Sequence, residues 1–501
     1  MPSFSKVGKW RRRLRWVSWT ALSLLILIGT GAGLLWYSLE RTAAEGKKLL
    51  AEAIAETDGL DPRWRWEQIE EDLAPIPNAE NSMRVIDQMV NSLESRSAPE
   101  FPDEGQEILE DWPENRQLDE EKVASLRNFV NKREKSLKLG SSLKDFPRGR
   151  TVIELNPDLL STPLQHPVDC RLSFWLLRFD SEELLQQGRY QDAVDRIRSI
   201  LNAAGALRED SIAISQLVRM AGRAIAVKQT ERLLGMGAIS DDQIGQLMAE
   251  FKAEQNDNLM LTIIRGERAS WHFLFENLHS GRLTFAEFIA RAIEGSKSGP
   301  NLLGQVSGFI YEAQLYEEHA FLLNWINEAW KIILLPASEQ LAAWKDWDRR
   351  LATAIREARA EEVRLIIAPL GLTSLLRFAE RSLQDQARLS CLLAALAAER
   401  YRIANKRWPK DSQELVPAYL PEVPIDPFDG KPLKFAQRED GIVIYSVDKD
   451  GLDNGGDIHQ QSPEGDNPKD LGVRLWNPDH RRLPPLPKKK EQPNDDDNGG
   501  S

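Results

Sequence analysis

The sequence predicts a mainly α protein with a single N-terminal transmembrane helix, a helical-hairpin extracytoplasmic body and a small α+β unit at its C-terminal end. Three observations carry that prediction. An uncharged apolar stretch runs from Trp16 to Leu39. Between Arg41 and about Glu380 the chain is poor in Gly and Pro and spaces its apolar residues three and four apart, the period of helices with one buried face. Beyond Leu433 the pattern changes to short alternating runs punctuated by Asp and Gly, the signature of strands and tight turns.

The N-terminal elements follow from length and charge. Residues 1–15 form a basic segment with Lys6, Lys9, Arg11, Arg12, Arg13 and Arg15, and no acid appears before Glu40. Residues 16–39, as a helix, extend about 36 Å, enough for a hydrocarbon core of about 30 Å. The basic flank holds the N-terminus in the cytoplasm, so the bulk of the chain lies outside it. Trp16, Trp19, Trp36 and Tyr37 stand where interfacial aromatic belts are expected. A cleaved signal peptide has a shorter apolar region ending in a small-x-small site, whereas here Leu34, Leu35 and Trp36 follow the glycines. The expectation is therefore an uncleaved anchor. Gly29 and Gly33 form a GxxxG pair through which two anchors can approach as a homodimer.

A chain of 501 residues with 42% hydrophobic and 28% charged content buries sizeable cores, which excludes a disordered tail or a disulfide-stapled miniprotein. Its formal net charge of -12 argues against nucleic acid as a partner. Residues 40–165 read as a helical region with Pro-rich breaks, including a helix near Glu120 to Leu137. Residues 166–380 read as a helical-hairpin body, in which Gly188-Arg189-Tyr190-Gln191-Asp192-Ala193 has the form of a hairpin turn and the start of its second helix. One such unit without a second copy does not make a solenoid. Trp325, Trp330, Trp344 and Trp347 lie among Leu and Ile and are read as core.

No catalytic signature emerges: there is no HExxH, Walker loop, GxGxxG or GxSxG. Cys170 and Cys391 are too few for a thiolate metal site or a disulfide framework. Cys170 follows His166 by four residues, but nucleophile and base meet in space rather than in sequence. Cys391, among leucines, reads as a small buried apolar residue. Ser141 and Lys144 form an SxxK without its companion motifs. Glu276 and His279 form an ExxH, half of a di-iron carboxylate pattern, with no second copy. His272 falls on the same helical face, so an enzyme site around His272, Glu276 and His279 is the runner-up reading. A hydrogen-bonded structural role explains the same residues more simply.

The last ordered unit, residues 384–478, begins with a helix bearing Leu389, Leu392, Leu393 and Leu396 on one stripe and ending near Asn405. Two strands follow, Leu433 to Gln437 and Ile442 to Val447, joined at Glu439-Asp440-Gly441. The stretch Tyr445-Ser446-Val447-Asp448-Lys449-Asp450-Gly451-Leu452-Asp453-Asn454-Gly455-Gly456-Asp457-Ile458 then gathers hard oxygen donors suited to Ca2+, although it lacks the EF-hand order. A solvated acidic turn fits the same composition. Arg438 to Asp470 carries nine acids against three bases. Residues 479–501, rich in Pro, Lys and Asp, read as a disordered tail.

The succession YRIANKRWP, YLPEVPIDPFDGKPLKF and YSVDKDGLDNGGDI resembles the C-terminal part of the major pseudopilin of type II secretion. Tyr401, Arg402, Asn405, Pro409, Asp426, Pro427, Gly430, Pro432, Tyr445, Ser446, Asp450, Gly451, Asp457 and Ile458 carry the match. The resemblance implies a helix packed on a small antiparallel sheet and a Ca2+ loop whose candidate ligands are Asp448, Asp450, Asp453 and Asp457. The family's first Asp of its final pair falls on Gly455, so Asp448, Asp453 or Asn454 has to substitute. The likeness also implies placement in a bacterial inner membrane with the bulk of the chain in the periplasm. A prepilin peptidase site is missing, so processing as a pilin is not expected. Together these readings describe a membrane-anchored interaction or assembly protein with protein partners, or an accessory subunit of a secretion or pilus system.

Overall fold

A computed structural model describes residues 5–93, 112–292, 302–360, 365–458 and 470–487. The protein is mainly helical, 67% helix, with one three-stranded sheet near its C-terminal end. α1 runs without a break from Ser5 to Leu60. In its first part the large apolar side chains face outward on every side: Trp16, Leu25, Leu27 and Leu34 are 66–74% exposed. This is the one helix among the described residues long and apolar enough to cross a membrane.

From Gly46 onward α1 turns one face to the protein. Gly46, Leu50, Ala53 and Thr57 recur at spacings of four and three, the stripe expected of a helix packed on another, and all four are buried. Their partner is the long helix Leu302–Ile333. A side chain at position 46 would meet the Tyr316 Cβ and the Glu317 backbone at 3.0 Å, so glycine sets how closely the two helices approach. The pair is pinned at its far end, where the Asn327 amide donates to the Thr57 hydroxyl at 3.0 Å.

After α1 come α2 (Trp66–Asp72), α3 (Ser82–Asn91), α4 (Glu120–Asn131) and α5 (Glu134–Gly140). The helix expected near Glu120 to Leu137 is thus two helices, the first started by Asp119, whose carboxylate accepts from the Lys122 amide. α6 (Gln165–Gln186) and α7 (Tyr190–Gly205) form the expected hairpin, turning at Gly188 with φ +75°, a left-handed conformation that favours glycine. α8 (Ala213–Met236) packs on both, followed by α9 (Asp241–Gln255), α10 (Leu259–His279) and α11 (Phe285–Ala292). The long helix on α1 is α12; α13 (Ala337–Ala360), α14 (Ala368–Leu372) and α15 (Leu375–Asn405) complete the body.

α15 begins at Leu375 rather than near Gln384, so the boundary expected at 384 falls inside a helix. Its early residues Leu375 and Ala379 join the apolar core of α1, α10, α12 and α13, while Leu389, Leu392 and Leu396 join the core of α6–α9 and the sheet. Burial of the whole stripe, not of its C-terminal half alone, extends the helix. It ends with Lys406, not Asn405, in the left-handed conformation, φ 61°, while the Asn405 amide turns back to the Tyr401 carbonyl at 2.9 Å.

β1 (Lys434–Arg438), β2 (Gly441–Ser446) and β3 (Leu471–Trp476) form an antiparallel sheet in that order, with Lys434 opposite Tyr445 and Ile442 opposite Leu475. Ile442, Ile444, Val473 and Leu475 face α15 and the body. β3 was not legible as a strand beforehand. The segment expected to be a disordered tail from 479 onward is instead placed against the body through residue 487. Arg481 is buried and forks onto Glu399 of α15 at 2.8 and 2.9 Å, and the Leu483 amide bonds to the Asn115 carbonyl at 2.8 Å. Bidentate pairing gives this stretch a fixed dock despite its prolines. Residues 488–501 lie outside the described ones.

Charged groups cross the core as well. Arg219 and Arg223 of α8 are 1% exposed and meet Glu254 of α9, and Arg223 reaches Asp385 of α15 at 2.8 Å. Burial pushes the Glu254 carboxyl up, but three guanidiniums hold it down at about 2. Such a network fixes how α8, α9 and α15 register, because any partner left alone is a buried uncompensated charge.

Candidate functional site

α10 presents His272, Glu276 and His279 at intervals of four and three, so all three lie on one face. Across from them stands His319 of α12, which no sequence pattern had singled out. Its Nε2 lies 2.9 Å from His272 Nδ1 and its Nδ1 lies 3.2 Å from His279 Nε2. The rings are held on several sides: Trp64 lies 4.4 Å from His272, Phe275 stacks on His319 at 4.6 Å, and Tyr316 stacks on His279 at 4.0 Å. Of the runner-up constellation, His272 and His279 are therefore each joined to His319 and not to one another, with His319 between them.

The neighbouring Glu318 fixes this part of α12. Its buried carboxylate accepts the backbone amides of Ile366, Ile367 and Ala368 at 2.5, 2.6 and 2.9 Å and bonds to the Tyr311 hydroxyl. It thereby caps α14 from another element and ties the loop before α14 to α12, a charge-assisted version of helix-end satisfaction.

His272 and His319 are buried and His279 half-buried. Burial, with Arg65 as the next contributor, lowers His272 to about 3; burial and Lys47 lower His279 to about 4; burial and the two neighbouring histidines carry His319 well below its ordinary value. All three imidazoles are consequently neutral at pH 7. The carboxylate of Glu276, on the solvent side, is raised by burial against the pull of Arg65 and Arg282. One nitrogen each from His272 and His319 and one oxygen from Glu276 all lie within 4.8 Å of one another. Among the described residues, this is the group of three such side chains with that convergence. An open cleft of about 820 Å³ beside α2, lined by Trp66, Glu70, Arg150 and Phe273, contains none of these histidines.

The acidic loop is built differently. Asp450, Asp453 and Asp457 are exposed and Asp448 half-buried. Asp448 accepts from the Gln384 amide at 2.9 Å, Asp450 from the Leu452 backbone at 2.9 Å, and Asp453 from the Tyr445 hydroxyl at 2.9 Å and the Gly455 backbone at 3.0 Å. The loop is closed by two acids outside the candidate set. Asp470, buried, accepts the amides of Asn454, Gly456 and Asp457 at 2.8–3.3 Å. Asp426, fully buried, accepts from Phe428, Ser446 and Val447 at 2.8–2.9 Å. Asp426 was legible in its Asp-Pro motif; Asp470 was hidden by its distance along the chain.

The remaining sequence candidates do not assemble. Cys170 is fully buried with its thiol pushed well up, first by burial, and His166 pairs with Asp210 at 2.7 Å instead. Ser141 donates to the Lys138 carbonyl while Lys144 pairs with Asp195. Cys391 is buried. Trp344 and Trp347 are fully buried with their rings edge to face at 5.4 Å, and Trp325 and Trp330 pack against the same core. Comparison with known protein families, characterised proteins and solved structures finds no match.

Proposed function

We propose that this chain is a single-pass bacterial envelope protein that holds a rigid helical body at the outer face of the inner membrane and serves in interaction or assembly rather than catalysis. The observation that carries this reading is the continuity of α1. The last residue of the uncharged span, Leu39, and the first buried contact, Gly46, belong to one helix and are separated by about 10 Å along its axis. A body attached by a stiff helix, not by a flexible linker, keeps one orientation toward the bilayer. That suits a platform for partners. The basic N-terminal flank supports the outward orientation.

The pseudopilin-like succession of motifs supports the extracytoplasmic placement and a Ca2+-stabilised loop at Asp448, Asp450, Asp453 and Asp457. The GxxxG pair, with open space around Gly29 and Gly33, supports pairing of two anchors. In membranes, the full chain is expected to resist alkaline extraction, and protease added from the periplasmic side is expected to remove the body while sparing an N-terminal tag. Release by alkali, or a body protected from that protease, overturns the proposal. For the ion, millimolar Ca2+ is expected to raise the melting midpoint of the wild type but not of Asp450→Ala/Asp457→Ala.

A further inference from the structure

The histidine cluster is a costly arrangement for structure alone. Two imidazoles, His272 and His319, are withdrawn from water in a region otherwise filled by Leu, Ile and aromatic rings, and the Nδ1 atom of the half-buried His279 is itself buried without a hydrogen-bond partner. The central ring has both nitrogens engaged. A neutral imidazole offers one donor and one acceptor, so if His319 Nδ1–H donates to His279 Nε2, its Nε2 turns a lone pair toward His272 Nδ1. Two nitrogens 2.9 Å apart then need a hydrogen or a cation between them. Either His272 supplies a proton there or a cation does.

We propose that His272, Glu276 and His319 bind a divalent first-row transition metal ion of the zinc class, with His279 as the outer partner that orients His319. Imidazole nitrogen and carboxylate oxygen are its donors, whereas Ca2+ and Mg2+ prefer all-oxygen shells. Tetrahedral ligands with metal–nitrogen bonds of about 2.0–2.1 Å stand about 3.3 Å apart, so the facing pair needs to open by only a few tenths of an ångström. Glu276 is exposed with a carboxylate oxygen within 4.8 Å of both nitrogens, and the same solvent side leaves the fourth position to water. The outer bond from His319 Nδ1–H to His279 has the form by which ligating histidines are usually fixed in tautomer and direction. Of the nearby cationic groups, Arg65 is paired with Asp58 at 2.9 Å, and Lys47 lies over the Tyr316 ring at 5.0 Å. Both bear on the site as charges, not as ligands.

The test uses the full-length protein in detergent, carrying a tag without histidine, stripped with chelator and then offered Zn2+ or Co2+. Bound metal after gel filtration is measured by mass spectrometry, and the visible spectrum of the Co2+ form reports its coordination. About one equivalent of zinc per chain is expected, with a four-coordinate Co2+ spectrum containing nitrogen ligands. His319→Gln should abolish it, Glu276→Gln should weaken it at least tenfold, and His279→Gln should weaken it about 10- to 100-fold. His480→Gln, at a half-buried histidine of the C-terminal segment away from the cluster, should change nothing. Because Glu276 is exposed, its variant remains decisive even if His319→Gln does not fold. Less than a tenth of an equivalent bound to folded wild type, or zinc held as tightly by folded Glu276→Gln as by wild type, overturns the proposal and leaves a buried imidazole hydrogen-bond chain.

Discussion

The histidine cluster and the acidic loop are both dense in potential ligands, yet they are built in opposite ways. The loop crowds its acids within one short stretch of chain and leaves three of the four exposed, with Asp450 and Asp453 occupied in local turns and Asp448 held by Gln384 of α15. The cluster draws its groups from two helices, with His319 47 residues from His272, and its rings are oriented by aromatic packing. The difference teaches that density along a chain measures the potential for turns, whereas convergence of donor atoms is a property of packing. Preorganisation comes from the elements on either side of a site, not from the number of candidates within it.

The largest expected effect tests whether the cluster is part of the core. His319→Ala removes a fully buried ring and leaves His272 and His279 facing a void, at a cost of about 3–5 kcal/mol in chemical denaturation. A loss below about 1 kcal/mol would mean that the cluster is not packed as described. Next comes the loop's own closure. Asp470→Ala orphans three backbone amides and is expected to cost about 2–3 kcal/mol, more than any single substitution among the four candidate Ca2+ ligands. If Asp453→Ala costs more, the order of importance within the loop is reversed.

Acid titration sharpens the comparison further. His272 and His279 have folded values of about 3 and 4, below the ordinary histidine value of about 6.5, so the unfolded chain takes up protons first as the pH falls. Their stabilising contribution is complete above about pH 6.5 and is lost as the pH drops toward 4, by up to about 1.4 kcal/mol per pH unit for each buried histidine. Burial raises Glu267 to about 7, which acts in the opposite direction over part of that window. The informative quantity is therefore the wild-type curve minus that of His272→Gln, measured by thermal melting; a flat difference between pH 6.5 and 4 would show that His272 is not held neutral. The smallest effect is expected at Asp450→Asn, an exposed turn residue, whose melting midpoint without added Ca2+ should move by no more than about 1–2 °C.

Particular residues show where sequence reading succeeds. The long apolar helix over Trp16 to Leu39 was legible because length and apolarity, the two properties a bilayer crossing demands, are both read directly from the chain. The hairpin at Gly188 and the turn at Asp440-Gly441 were legible because tight turns impose local backbone requirements. That His272, Glu276 and His279 share one helix face was legible from the helical period, but nothing in that period points to His319 on another helix, which takes the place of His279 beside His272 and Glu276. β3, Asp470 and Arg481 were missed for the same reason, since each is defined by what it meets: β2, the amides of the loop, and Glu399.

By itself, then, the sequence determined a helix long and apolar enough to cross a membrane, the helical class and the turn-forming loop, because each depends on the chemistry of residues close together in the chain. Tertiary structure alone decided that α1 continues as one rod into the body, that α15 joins both cores, and that His319 stands between His272 and His279. These features depend on which buried faces find each other, and helices joined by long stretches of chain leave that choice to packing.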